Sequence, residues 1–275
     1  MPDTASETSV AEHTAPALLA ADDPPPFEVL NPDGRARALL ICDHASRAVP
    51  QALDCLGLDD AELRRHIGWD IGAADVTRRL AELMDAPAVL SGWSRLVIDP
   101  NRLLEDPTSI PEISDGTVVP GNRALEDDGR AARVEALFRP YHSAVEAQIE
   151  RARARGAPPA LVSVHSFTPV MKTRERPWQV GILWGQDPRL AVPLIDWLAR
   201  QPGLIVGDNE PYSGRAGFGY SIERHGTDNG LPNALIEVRQ DLIDTHHGAA
   251  DWAGILARAL DEVLADAAVW RELQR

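Results

Sequence analysis

Short continuous apolar runs alternate along this chain with longer segments whose apolar residues recur at helical spacing, and several runs stop abruptly at an ionisable side chain. Leu39-Leu40-Ile41-Cys42 stops at Asp43-His44, Ala160–Val164 at His165-Ser166, and Ala234-Leu235-Ile236 at Glu237. Such runs, apolar at consecutive positions, read as strands buried on both faces. Phe27–Leu30, Ala88–Leu90, Leu96–Ile98, Val180–Trp184 and Leu204–Val206 are predicted as further extended pieces, and the third core run is expected to continue to Val238. Helices are expected over Asp59–His66, Ala74–Met84, Leu190–Arg200 and Gly248–Ala265. Gly129–Arg155 reads as one helix with Val134, Leu137, Phe138, Tyr141, Val145 and Ile149 on a single stripe, kinked or split by Pro140. Asp70 falls at the start of the helix that follows Ala73.

Strands therefore alternate with helices almost throughout, without an internal repeat. That order implies one α/β domain over residues 27–275, with a mostly parallel mixed sheet and helices on both faces. Residues 1–26 are acidic, rich in Ala, Thr and Pro, and lack a basic start or a sustained apolar run. They are expected to form a frayed tail ending at Pro24-Pro25-Pro26, neither a secretory signal nor a membrane span. Leu103–Gly121 and the Gly-rich loop Gly207–Gly219 are long polar connections, and long ordered loops in compact domains often serve a site.

Composition narrows the function classes. A formal net charge of -15 argues against a surface built to neutralise phosphates, so a nucleic-acid partner is not expected. Cys42 and Cys55, the only two cysteines, form no Cys-x-x-Cys pair and read as reduced thiols of a cytoplasmic protein. Oligomeric state is left open.

In open α/β sheets, ligands are met beyond the carboxyl ends of the strands, where His44, His165 and Glu237 are placed. Hydrolytic zinc is commonly held by two histidines and a carboxylate with one position left for water, and His44, Asp70 and His165 supply that set. Glu237 is the candidate general base. Of the other histidines, His13, His246 and His247 are expected in solvent, and His66 and His142 packed or capping within helices; His225, near the Gly-rich loop, stays unassigned. Neither Ser46 nor Ser166 lies in a Gly-x-Ser-x-Gly elbow, and there is no Gly-x-Gly-x-x-Gly or P-loop, so serine hydrolase and nucleotide-binding readings are weaker.

Taken in order, Cys42-Asp43-His44-Ala45-Ser46, Gly68–Ala73, Ser94–Arg102, Pro140-Tyr141-His142, Val164–Pro169 and Ile236–Gln240 resemble the N-formylglutamate amidohydrolase family. The resemblance implies a zinc-exopeptidase-like fold of the phosphorylase/hydrolase type and hydrolysis of N-formyl-L-glutamate or a related acidic N-acyl amino acid. His44 and His165 match the family's strand-end histidines and Glu237 its late strand-end glutamate. Zinc amidases of similar fold use Glu as the middle ligand, but position 47 here is Arg47. Either Asp70 replaces that ligand or the metal set is incomplete.

A substrate with two carboxylates calls for cationic forks. Asn101 and Arg102 follow a strand end and resemble the carboxylate-binding pair of zinc carboxypeptidases; Arg215, Tyr220 and Arg224 flank the Gly-rich loop as further substrate-binding candidates, and Asn209, Glu210 and Tyr212 are candidates to line the pocket. The alternatives are a related zinc amidase or peptidase with another substrate, or a metal-free binding module of the same fold.

Overall fold

The computed structural model describes residues 18–216 and 219–273. Its core is one seven-stranded sheet formed by β1 (Phe27–Leu30), β2 (Ala38–Cys42), β3 (Ala88–Ser91), β4 (Ala160–Phe167), β5 (Val180–Leu183), β6 (Val206–Asp208) and β7 (Asn233–Arg239), in the order β1-β3-β2-β4-β7-β5-β6. The pairs β2–β3, β2–β4, β4–β7 and β5–β6 are parallel, whereas β1–β3 and β7–β5 are antiparallel. The sheet is thus mixed and mostly parallel.

Helices cover both faces. On one side α1 (Ala73–Met84), α4 (His246–Leu264) and α3 (Pro188–Ala199) pack on Ala38, Leu40, Val162, Val164, Ala234 and Ile236; on the other, α2 (Arg139–Ala154) packs on Leu39, Ile41, Leu161 and Leu235. Residues two apart in a strand share a face, so Asp43 follows Ile41, Ser163 and His165 follow Leu161, and Glu237 follows Leu235. The face under α2 therefore changes from apolar to polar toward the carboxyl ends of β2, β4 and β7. That change creates the site.

Leu96–Ile98 is not a strand. Its three side chains join a separate cluster beneath the loops with Trp93, Ile110, Val119, Leu137 and Phe138. Buried Arg133 donates from Nη1 to the carbonyl of Val97 at 2.9 Å, and Asn122 donates to that of Leu96 at 2.8 Å, so side chains take the carbonyls a ladder would have used. An apolar triplet alone does not distinguish these outcomes. The sixth strand begins at Val206 rather than Leu204. The helix expected over residues 129–155 is interrupted by a wider π turn at Val134–Phe138, where the Arg139 N–H reaches the carbonyl of Val134. Pro140 has no N–H to return to the preceding turn, and this extra residue per turn absorbs the mismatch.

Of the expected tail, residues 1–17 lie outside the described residues. Leu18 and Leu19 lie partly buried against the cluster beneath the loops, whereas Ala20, Ala21, Asp22, Pro24 and Pro25 are exposed. Cys42 is buried and Cys55 exposed, both as free thiols. Among the described residues no helix is long and apolar enough to cross a membrane.

Candidate active site

His44 lies just beyond β2, and His165 stands in β4 directly opposite Glu237 of β7. Asp70 comes from the segment ahead of α1, where its N–H bonds the carbonyl of His44 at 3.0 Å. Gly72 makes that entry possible: its φ of 81° is left-handed, and a Cβ there would strike the carbonyl oxygen of Ile243. Ligand atoms of His44, Asp70 and His165, all buried, lie within 4.8 Å of one another.

The far nitrogen of each imidazole is held by a different buried carboxylate. His44 Nε2 is 2.8 Å from Asp99 Oδ1, and His165 Nε2 is 2.9 Å from Asp43 Oδ2. An ionised carboxylate only accepts, so Nε2 carries the donated hydrogen in both rings. Both Nδ1 atoms then face one oxygen, Asp70 Oδ2, at 3.3 Å for His44 and 2.7 Å for His165. Two lone pairs and a carboxylate oxygen this close repel unless a cation lies among them. A proton can fill that role, and so can a divalent ion.

The charges agree with this reading. Burial alone would make Asp43, Asp70 and Asp99 harder to ionise, but the imidazoles, joined by Arg95 at Asp99, hold all three carboxyls below their ordinary range. Against its own burial, His165 is raised to about 10 by its bonds to Asp43 and Asp70. Asp43 also accepts from Tyr141 Oη at 2.9 Å, Ser163 Oγ at 2.9 Å and Ser221 Oγ at 2.5 Å. Arg95 donates to Asp99 Oδ2 at 2.8 Å, and its Nη1 lies 3.2 Å from His44 Nδ1. Glu237 differs. It is 6% exposed, its Oε2 has no hydrogen-bond partner among the described residues, and burial raises its carboxyl to about 7. Two imidazoles, an ionised carboxylate and an unpartnered acid suit a hydrolytic metal such as zinc.

A second pair of histidines braces the loop after Asp99. His142 Nε2 lies 3.0 Å from the carbonyl of Pro100, so it must donate, leaving Nδ1 to accept from His225 Nε2 at 2.8 Å. Burial lowers His142 to about 4 and His225 to about 3, so both are neutral at pH 7. His142 is thus packed in its helix.

The sequence profile of the N-formylglutamate amidohydrolase family matches residues 36–244. The chain belongs to this family. A crystal structure of the Agrobacterium tumefaciens gene product Atu2144 superposes on the amidohydrolase with a TM-score of 0.87 at 36% identity, covering 90% of this chain and 98% of that one. An N-formylglutamate amidohydrolase from Ralstonia eutropha JMP134 shares the fold, with a TM-score of 0.60 at 21% identity over 87% of this chain and 97% of that one. A search of curated proteins gives no match.

In the amidohydrolase, a cavity of about 140 Å³ opens on His44, Asp70, His165 and Glu237, with Asn101 and Arg102 also in its wall. Tyr212 lines it as well, but Asn209 and Glu210 do not. Arg215, Tyr220 and Arg224 lie elsewhere. Arg215 stacks on Trp184 at 4.7 Å and lines a neighbouring groove, Tyr220 packs on His142 at 5.3 Å, and Arg224 pairs with Glu146 at 3.1 Å on the surface. Sequence reasoning assigned no role to Asp43, Arg95, Asp99 or Ser221. A signal existed for Asp43, because period-two alternation puts it on the face of Ile41, toward the site.

Proposed function

We propose that this amidohydrolase uses a divalent metal, zinc first among candidates, to hydrolyse a small acidic N-acyl amino acid, with N-formyl-L-glutamate yielding L-glutamate and formate. The observation that carries the reading is the convergence of both histidine Nδ1 atoms on Asp70 Oδ2, each ring fixed from behind by another buried carboxylate. His44, Asp70 and His165 would hold the ion. When bound, it supplies Lewis acidity to the amide carbonyl and makes water easier to deprotonate.

The chain's own residues supply the rest. Glu237 takes the proton from water as its oxygen adds to the formyl carbon, then passes that proton to the nitrogen as the C–N bond breaks. Its raised affinity for protons suits both steps. Asn101 and Arg102 take the α-carboxylate of the substrate, and Arg95, in the cavity wall, faces the oxyanion that develops at the carbonyl. A cavity of about 140 Å³ suits a small acyl group rather than a folded peptide. Metal content of the purified protein, with turnover of N-formyl-L-glutamate before and after chelation, tests the reading. Full activity in metal-free protein would end it.

A further inference from the structure

We propose that Arg176 is the specificity-determining cation of this site, reading the side-chain carboxylate of an acidic N-acyl amino acid. The inference rests on the hydrolase reading for its substrate class. Arg176 follows the small hairpin of Val170–Met171 and Arg174–Glu175, and its N–H is tied to the carbonyl of Pro169 at 2.9 Å. Its Nη1 approaches Thr168 Oγ1 at 3.2 Å, the carbonyl of Thr168 at 3.4 Å and Tyr212 Oη at 3.1 Å. The guanidinium carbon stands 4.8 Å from the ring centroid of Tyr212 and 5.9 Å from that of Phe167. Phe167, Thr168 and Tyr212 all line the cavity that holds His44, His165 and Glu237.

The way Arg176 is held matters more than its nearness. Among the described residues, Nη1 makes every side-chain hydrogen bond of Arg176, Nε and Nη2 make none, and no carboxylate pairs with its guanidinium. The Nε–Nη2 edge is the one that grips a carboxylate with two parallel bonds. Arg95 is in the opposite condition, since Asp99 and Asp70 already share its charge. A half-buried arginine, braced on two aromatic rings with its bidentate edge unclaimed, is preorganised for an anion the protein does not supply. With Asn101 and Arg102 on the α-carboxylate, Arg176 accounts for the second charge of a dicarboxylate.

The test compares N-formyl-L-glutamate with N-formyl-L-glutamine, a near-isostere whose side chain alone is uncharged, in the metal-loaded wild type, Arg176→Gln and Arg176→Lys, together with calorimetric binding of L-glutamate and L-glutamine. The wild type should favour the acid about 100-fold in kcat/KM; Arg176→Gln should erase that preference mainly through KM while leaving the amide within about twofold, and Arg176→Lys should restore part of it. Equal losses on both substrates, or a preference unchanged in Arg176→Gln, would overturn the assignment while leaving the hydrolase reading intact. Arg176-dependent binding of L-glutamate without turnover would support the assignment and defeat the hydrolase reading, and neither binding nor turnover would defeat both.

Discussion

His165 is wedged between Asp43 and Asp70, 2.9 Å from one at Nε2 and 2.7 Å from the other at Nδ1. The two carboxylates have different work. Asp43 fixes the ring, while Asp70 stands at the ring's inner edge, where it would share a bound cation. Asp43→Asn puts an amide where the ring N–H needs an acceptor, and should weaken metal binding about 10–100-fold with the ligands themselves unchanged. A chelator-competition titration of zinc measures this, and an affinity equal to wild type would show that the ring needs no such support.

Glu237→Gln keeps the shape of the side chain and removes its basicity. Metal content should be unchanged and kcat should fall about 10²–10⁴-fold, the range of a lost general base. A base works deprotonated, so the wild-type rate should rise with pH through the pKa of Glu237, which burial places at about 7 before the attraction of a bound cation lowers it. Glu237→Gln should lack that acid limb. A limb still present in the variant's profile would assign it to another group.

His142 and His225 predict a separate acid sensitivity, in stability rather than rate. Their folded values of about 4 and about 3 lie below 6.5, so between pH 6.5 and pH 4 the unfolded chain binds protons that the folded chain refuses. Stability should therefore be unaffected above pH 6.5 and fall as pH drops through this window, by ~3 kcal/mol for His142 alone. Urea unfolding across that range measures the slope, and His225→Leu should make it shallower. An unchanged slope would place the sensitivity elsewhere.

Gly72→Ala tests the entry to α1. The new methyl meets the carbonyl of Ile243 in a backbone conformation that alanine disfavours, and the expected cost is about 2–4 kcal/mol, seen as a lowered Tm. Asp70 sits two residues earlier, so zinc affinity should fall as well. A variant with wild-type Tm would show that Ile243 yields easily.

Much of this architecture is legible along the chain, for a physical reason. The strands around the site are buried on both faces, so they appear as unbroken apolar runs, and the points where those runs stop name His44, His165 and Glu237. Asp70 is also brought to them. Partners that meet only through folding left weaker traces. Asp99 and Arg95 reach His44 from a turn whose apolar neighbours, Leu96–Ile98, imitate a strand. Ser221 reaches Asp43 across 178 positions. Arg215 and Arg224 carry the expected charge, but a guanidinium is equally at home on a tryptophan face or beside a surface glutamate, and chain position does not say which.

The four donors gathered on Asp43 come from β4, from α2 and from the short turn at Ser221. One small acid thereby works as a keystone, joining parts of the chain that meet only in the folded state. The back wall of the pocket is therefore made of the same bonds that hold these parts together.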